Sequence, residues 1–239
     1  RLVGSEMCIR DSKCVNLGWG IFNVNEKLEE LTGISVKAGN DANVAALGEM
    51  WKGGGQGFHT LVVVTLGTGV GGGIILDGQM LTGAKGSGGE IGHIHMNDAE
   101  PDECGCGNHG CLEQYASATG VVRLAKRALA KATEKTVLNA DTVTAKDVWD
   151  AVKEGDPVAL QVAEQFGKYL GEGLAIVADV INPEAFVIGG GVSKAGEVLL
   201  SYIEKNYTKT VFHASRDVKF TLATLGNDAG IYGAAKLVL

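Results

Sequence analysis

The chain has 239 residues, 45% of them hydrophobic, with 36 glycines and only three prolines. That is enough to bury a core, in one large domain or two small ones. A formal charge of −7 with no basic cluster argues against a nucleic-acid surface, and no apolar run reaches membrane-spanning length or reads as a signal peptide. Five cysteines fit a reducing cytoplasm better than a disulfide scaffold.

Residues 1–12, RLVGSEMCIRDS, carry no clear period and are expected to be a non-native segment, so Cys8 is given no role. Glu26–Leu31 then predicts a short helix stopped by Gly33, and Ile34–Lys37 a short strand. Asn40-Asp41 opens a helix through Ala42–Trp51, ended by Gly53-Gly54-Gly55. Asn and Asp are favoured helix caps. A helix N-terminus also favours an ionised carboxylate, which a general base requires. The local pattern therefore leaves Asp41 open between a cap and a base.

Thr60–Leu66 is an apolar, β-branched run and predicts a buried strand. It enters GTGVGGG, followed by Ile74–Leu76 as a strand and the turn Asp77-Gly78. A glycine turn between strands exposes N–H groups that can cradle phosphate oxygens. Gly67-x-Gly69-x-x-Gly72 also matches the dinucleotide fingerprint, but that motif needs a helix after its loop. Here another strand follows, and no G-x-x-x-x-G-K-[ST] exists, so hydride-transfer and P-loop readings both fail on context.

The densest stretch is GGEIGHIHMNDAEPDECGCGNHGCLE, residues 88–113. Cys104, Cys106 and Cys111 form C-x-C-x4-C with His93 upstream, a complete tetrahedral shell for a structural Zn²⁺. Gly105, Gly107 and Gly110 suit tight turns with positive φ between the ligands. His95 is the reserve fourth ligand. Glu90 and Glu113 bracket the set as carboxylates able to accept from neighbouring hydroxyls.

Beyond it the chain predicts helices at Gln114–Ala130 and Ala145–Lys153, separated by a polar loop. Asp156-Pro157 opens a long helix to about Val180 whose Leu160, Ala163, Phe166, Leu170, Leu174 and Val177 form a core stripe. Glu184–Ile188 is a strand feeding Gly189-Gly190-Gly191 and a helix from Ala195, an order that suits a nucleotide or close packing. Lys219–Thr224 alternates as a strand. Asn227-Asp228-Ala229 repeats the earlier N-D-A, and here capping of the last helix is sufficient.

GEIGH followed by CGCGNHGCLE, with NDANVAALGE upstream, resembles the signature of the ROK family of repressors and sugar kinases, and the likeness runs from Lys13 to Leu239. The resemblance implies an α/β, ribonuclease-H-like (actin/hexokinase-like ATPase) domain at residues 42–239, with a zinc-stabilised loop at 93–111. Residues 13–41 would be a remnant of a first domain that is largely missing, because the family's N-terminal phosphate loop has no counterpart here. It further implies ATP-dependent phosphorylation of a hexose, leaning towards glucose, with Asp41 as base and Asn40, Asp41, Glu90, His93 and Glu113 on the sugar. Gly67, Thr68 and Gly69 would bind phosphate, and Gly189, Gly190 and Gly191 would lie along the adenosine. His93, Cys104, Cys106 and Cys111 would hold zinc, with Mg²⁺ accompanying ATP. A homodimer or higher homo-oligomer is implied for the full-length protein. The departure at Gly39, where many relatives carry Asp, alters local charge only. A sugar-sensing ROK repressor, an inactive sugar- and zinc-binding fragment, and kinases of N-acetylmannosamine, N-acetylglucosamine or fructose are the alternatives.

Overall fold

The computed structural model describes residues 23–239. The expected non-native segment 1–12, and residues 13–22 of the stretch read as a remnant, lie outside them. A five-stranded mixed sheet in the order β3-β2-β1-β4-β5 carries the fold. β1 (Leu61–Leu66), β2 (Val70–Leu76) and β3 (Gln79–Met80) form an antiparallel meander, and β4 (Ala185–Gly189) and β5 (Lys219–Leu222) add to β1 in parallel.

Alternation along β1 sets the two cores. Leu61 and Val63 pack with Ala46, Leu47, Ile75, Ala185 and Val187 on one face. Val62, Val64 and Leu66 join a larger cluster with Phe166, Leu170, Leu174, Phe186 and Ile188 on the other. α2 (Asp41–Lys52) and α8 (Ala229–Val238) serve the first face. α3 (Glu113–Ala116), α4 (Ala118–Leu129), α5 (Ala145–Lys153), α6 (Pro157–Ile181) and α7 (Glu197–Thr210) belong with the second. α5 and α6 start where their caps predict: Thr144 and Asp147 form a capping box, and Asp156 caps α6 with Pro157 at its first position.

Several expectations change. α1 (Val24–Thr32) ends at Gly33 as predicted, but Ile34–Lys37 forms no strand. Its Val36 N–H is donated to Glu29 Oε1 at 2.8 Å instead of to a neighbouring strand. The helix expected over Gln114–Ala130 is two helices, because Ser117 adopts extended backbone and its Oγ caps α4 through Gly120 N–H. The helix expected from Ala195 begins at Glu197, after a 3-10 turn over Val192–Ala195. β2 starts at Val70, so Gly71–Gly73 are strand residues, where a Cβ would strike Thr65, Ile91 and Ala46. Asp228 makes no capping bond; a 3-10 turn over Gly226–Asp228 runs straight into α8.

α2 and α8 cross backbone to backbone. A Cβ on Gly233 would run into the Val44 carbonyl, and one on Gly48 into the Ala229 carbonyl. Gly233→Ala gains about 1 kcal/mol of helix propensity. It should nonetheless lower stability by about 1–3 kcal/mol net, since overpacking against backbone has no soft side chain to yield. Urea unfolding measures this, and an unchanged midpoint would show that the crossing is looser than described.

Candidate functional site

The carboxyl ends of the parallel strands β1 and β4 open on a cleft of about 520 Å³, the position where ligands enter open α/β sheets. Asp41, Glu90, His93, Glu113, Gly67, Gly69 and Gly190 line it together. A second hollow of about 430 Å³, lined by Gly189, Gly190 and Gly191, shares Thr65, Gly190 and Asn227 with the first. The two glycine turns therefore sit side by side on one continuous cleft.

Asn40 is the helix cap: its Oδ1 accepts from Ala42 and Asn43 N–H at 2.9 and 3.2 Å. Capping is thus done by the neighbour, and Asp41 sits at the first helical position with its exposed carboxylate on the cleft. Asn40 does the capping, which leaves the Asp41 carboxylate free of that job. Asn40 itself is buried.

The β1–β2 hairpin closes through Gly67, Thr68 and Gly69 between the paired Leu66 and Val70. Its carbonyls are tied to α4: Ala118 N–H donates to Gly67 O and Thr119 Oγ1 to Thr68 O, each at 2.8 Å. A Cβ at Gly69 would meet the Glu113 carboxylate. Gly190 has φ of 87°, and a Cβ there would lie 2.5–2.6 Å from the Leu66 backbone, so glycine is what lets the β4 turn lie against the hairpin. Thr68 is exposed and stands outside the lining of both hollows.

After β3 the chain turns through a 3-10 segment, Ile91–His93, into a looped hairpin bridged at His95–Cys111 and Glu103–His109. His93, Cys104, Cys106 and Cys111 offer ligand atoms all within 4.8 Å of one another. Cys106 and Cys111 sulfurs are 3.6 Å apart, and Cys104 Sγ lies 3.8 Å from His93 Nδ1. A tetrahedral zinc with bonds of about 2.3 Å to sulfur has edges of about 3.8 Å, so the donor set fits that ion. Burial pushes the Cys104 thiol up and the Cys111 thiol up to about 12, so a bound cation would be needed to hold them as thiolates. His95 lies outside this cluster: its ring nitrogens contact His109 O at 2.9 Å and Asp98 Oδ1 at 2.8 Å. Gly107 and Gly110 have positive φ as expected between ligands, whereas Gly105 does not.

Glu113, the first residue of α3, faces both the ligand set and the hairpin. Its Oε1 accepts from the Cys104 thiol and its Oε2 from Val70 N–H, each at 3.3 Å. Glu90 is exposed at the start of the 3-10 segment.

Sequence reasoning missed two features. Gly226 and Asn227 line both hollows; the repeated N-D-A motif was the available signal. Glu100, within the Cys-rich loop, is a buried carboxylate forked by Arg127, and nothing in its spacing marks it. The Arg127 guanidinium holds the Glu100 carboxyl at about 2, below its ordinary 4.5. A lowered carboxyl value stabilises the fold fully above about pH 4.5, and the contribution is lost as pH falls through about 2. The stability advantage of wild type over Glu100→Gln should therefore shrink between pH 5 and pH 3, followed by urea unfolding at each pH. A pH-independent difference would contradict the ion pair.

The model of the ROK family matches residues 11–239. A glucokinase from Halalkalibacterium halodurans is 47% identical over 229 residues, 94% of this chain and 69% of the relative. A more distant relative, the xylose repressor of Caldicellulosiruptor bescii, is 30% identical over 94% of this chain and 57% of its own. The crystal structure of a ROK family glucokinase from Streptomyces griseus, in complex with glucose and AMPPNP, superposes with a TM-score of 0.77 at 37% identity, covering 92% of this chain and 73% of that one. The mixed sheet described above is thus of the actin/hexokinase-like ATPase kind. Among the described residues, no helix is long and apolar enough to cross a membrane.

Proposed function

This chain belongs to the ROK family, and on that premise we propose that it catalyses ATP-dependent phosphorylation of glucose to glucose 6-phosphate. The observation that carries the reading is the convergence of Asp41, Glu90, His93 and Glu113 with two glycine turns on one cleft. The strand order β3-β2-β1-β4-β5 supports the ribonuclease-H-like domain expected for residues 42–239.

Asn40, Glu90, His93 and Glu113 bind the sugar hydroxyls, the carboxylates as acceptors. Asp41 accepts the proton of the 6-hydroxyl as O6 attacks the γ-phosphorus. The O6–P bond forms, the bond from the γ-phosphorus to the bridging oxygen breaks, and ADP leaves with that oxygen. Catalysis of this kind is mainly positioning and electrostatics. The Gly67-Thr68-Gly69 hairpin lies beneath the transferred phosphate, and Gly189, Gly190 and Gly191 run along the adenosine. Mg²⁺ accompanying ATP would supply counter-charge to the triphosphate.

His93, Cys104, Cys106 and Cys111 would hold a structural Zn²⁺, whose part would be to fix the loop rather than to take part in the chemistry. His93 Nδ1 faces the cysteines, so its other nitrogen serves the sugar side. Metal on one ring nitrogen fixes the proton on the other, making Nε2–H a donor to a sugar oxygen.

The test is ADP release from Mg²⁺–ATP with a panel of glucose, fructose, N-acetylglucosamine and N-acetylmannosamine. Turnover highest with glucose supports the proposal, and turnover highest with another sugar reassigns the substrate. No turnover with any sugar, together with glucose binding, would support an inactive sugar-binding fragment, and DNA binding in a gel shift would favour the repressor-like relatives, whose 30% identity is the weaker match.

A further inference from the structure

The Cys-rich loop is gripped from two sides, and only one grip is the metal cluster. On the other side Glu100 has a side chain with no exposure. Arg127 of α4 forks onto it, Nη1 to Oε2 at 2.8 Å and Nη2 to Oε1 at 2.6 Å, and Nη2 also reaches Asp102 Oδ2 at 2.9 Å. Arg123, one turn earlier on α4, faces the same two carboxylates at 3.8 Å. Two guanidinium groups thus balance two carboxylates, which is the condition under which a charge tolerates such burial.

The pair also reaches the sugar side. Tyr115 donates to Glu100 Oε2 at 2.6 Å and accepts from Asn97 Nδ2 at 3.0 Å. Tyr115 stands two residues beyond Glu113 on α3, and its ring stacks on Tyr169 of α6 at 3.8 Å. Gln114, between them, donates to Asp102 O at 2.8 Å and accepts from Cys111 N–H at 3.0 Å. A helix of four residues cannot hold its own shape. These bonds therefore decide where α3, and Glu113 on it, comes to rest.

We propose that the Glu100–Arg127 pair is a positioning device that sets the Cys-rich loop and Glu113 for metal and sugar independently of the metal itself. A loop already ordered loses less freedom when zinc and a hexose bind, so both bind more tightly. The sugar half of this inference rests on the reading of Glu113 as a sugar ligand; the metal half does not.

The experiment compares wild type with Glu100→Met/Arg127→Met, which removes the fork without stranding a buried charge and leaves Asp102 and Arg123 to pair. Release of bound zinc to a chromogenic chelator should be at least about tenfold faster in the double variant. The KM for glucose should rise about five- to tenfold, while the KM for ATP and kcat at saturation stay within about twofold. Arg127→Lys keeps the charge but loses the fork, so it should also release zinc faster than wild type. A merely structural pair would lower Tm, leaving zinc release and the glucose KM unchanged, and that result overturns the proposal. If wild type phosphorylates no hexose, the functional reading fails, and zinc release alone still decides whether the pair sets the loop.

Discussion

Asp41→Asn lowers kcat for glucose by about 10²–10⁴-fold, the usual loss on removing a positioned general base, and leaves glucose affinity within a few-fold of wild type. The substitution changes one oxygen for nitrogen and keeps the shape of the side chain. Its remaining oxygen can still accept from Ala42 N–H, which now bonds Asp41 Oδ1 at 2.8 Å. The helix cap is Asn40 and is untouched, so α2 starts as before. What an amide cannot do is accept the proton of an attacking hydroxyl. Steady-state ADP release gives kcat, and calorimetric titration with glucose gives affinity. Turnover within about tenfold of wild type would remove Asp41 from the base role. Equal losses of turnover and of sugar binding would make it a ligand instead.

How much of this could be read from the chain depends on whether the deciding interactions were local. The start of α6 was legible because Asp156-Pro157 acts on N–H groups within three residues. The metal set was legible because C-x-C-x4-C with an upstream His states its own chemistry, and the four side chains do converge. The sequence favours His93 over His95, and His109 and Asp98 hold the His95 ring away from the cluster. Ile34–Lys37 has the composition of a strand, but among the described residues no strand takes it up, and a strand is defined by its partner. Gly71–Gly73 looked like loop because glycine is a poor strand former. They are strand because α2 and the Ile91 turn pack too close for any side chain. Ser117 could have been read as a cap, but the apolar run on both sides of it outweighed one hydroxyl. Glu100 and Arg127 lie 27 residues apart, and no pattern in either neighbourhood announces the pair.

Removing the zinc cluster is expected to cost sugar binding and spare nucleotide binding. The mechanism runs through Cys104, whose Sγ lies 3.3 Å from Glu113 Oε1. A zinc-bound thiolate has no proton to donate, so with zinc in place that carboxylate oxygen would be open to accept from a sugar hydroxyl. Metal also fixes the His93 ring through Nδ1, whereas without it the imidazole is free to turn or exchange tautomers. Two of the four proposed sugar ligands would thus depend on one ion, while Gly189, Gly190 and Gly191 are held by β4 and by packing on Leu66. Cys106→Ser, at the exposed cysteine of the set, should abolish stoichiometric zinc. It should weaken glucose binding by at least about tenfold, the scale expected when two hydrogen bonds to a sugar, one of them to a carboxylate, are no longer made. The Kd of a non-hydrolysable ATP analogue should change less than about threefold, because the nucleotide is held elsewhere. Metal analysis with paired titrations of glucose and nucleotide reads all three. Zinc-free protein that binds glucose as tightly as wild type would separate the metal from the sugar site. The Glu100–Arg127 grip, with the Val70 N–H bond, would then suffice to hold Glu113.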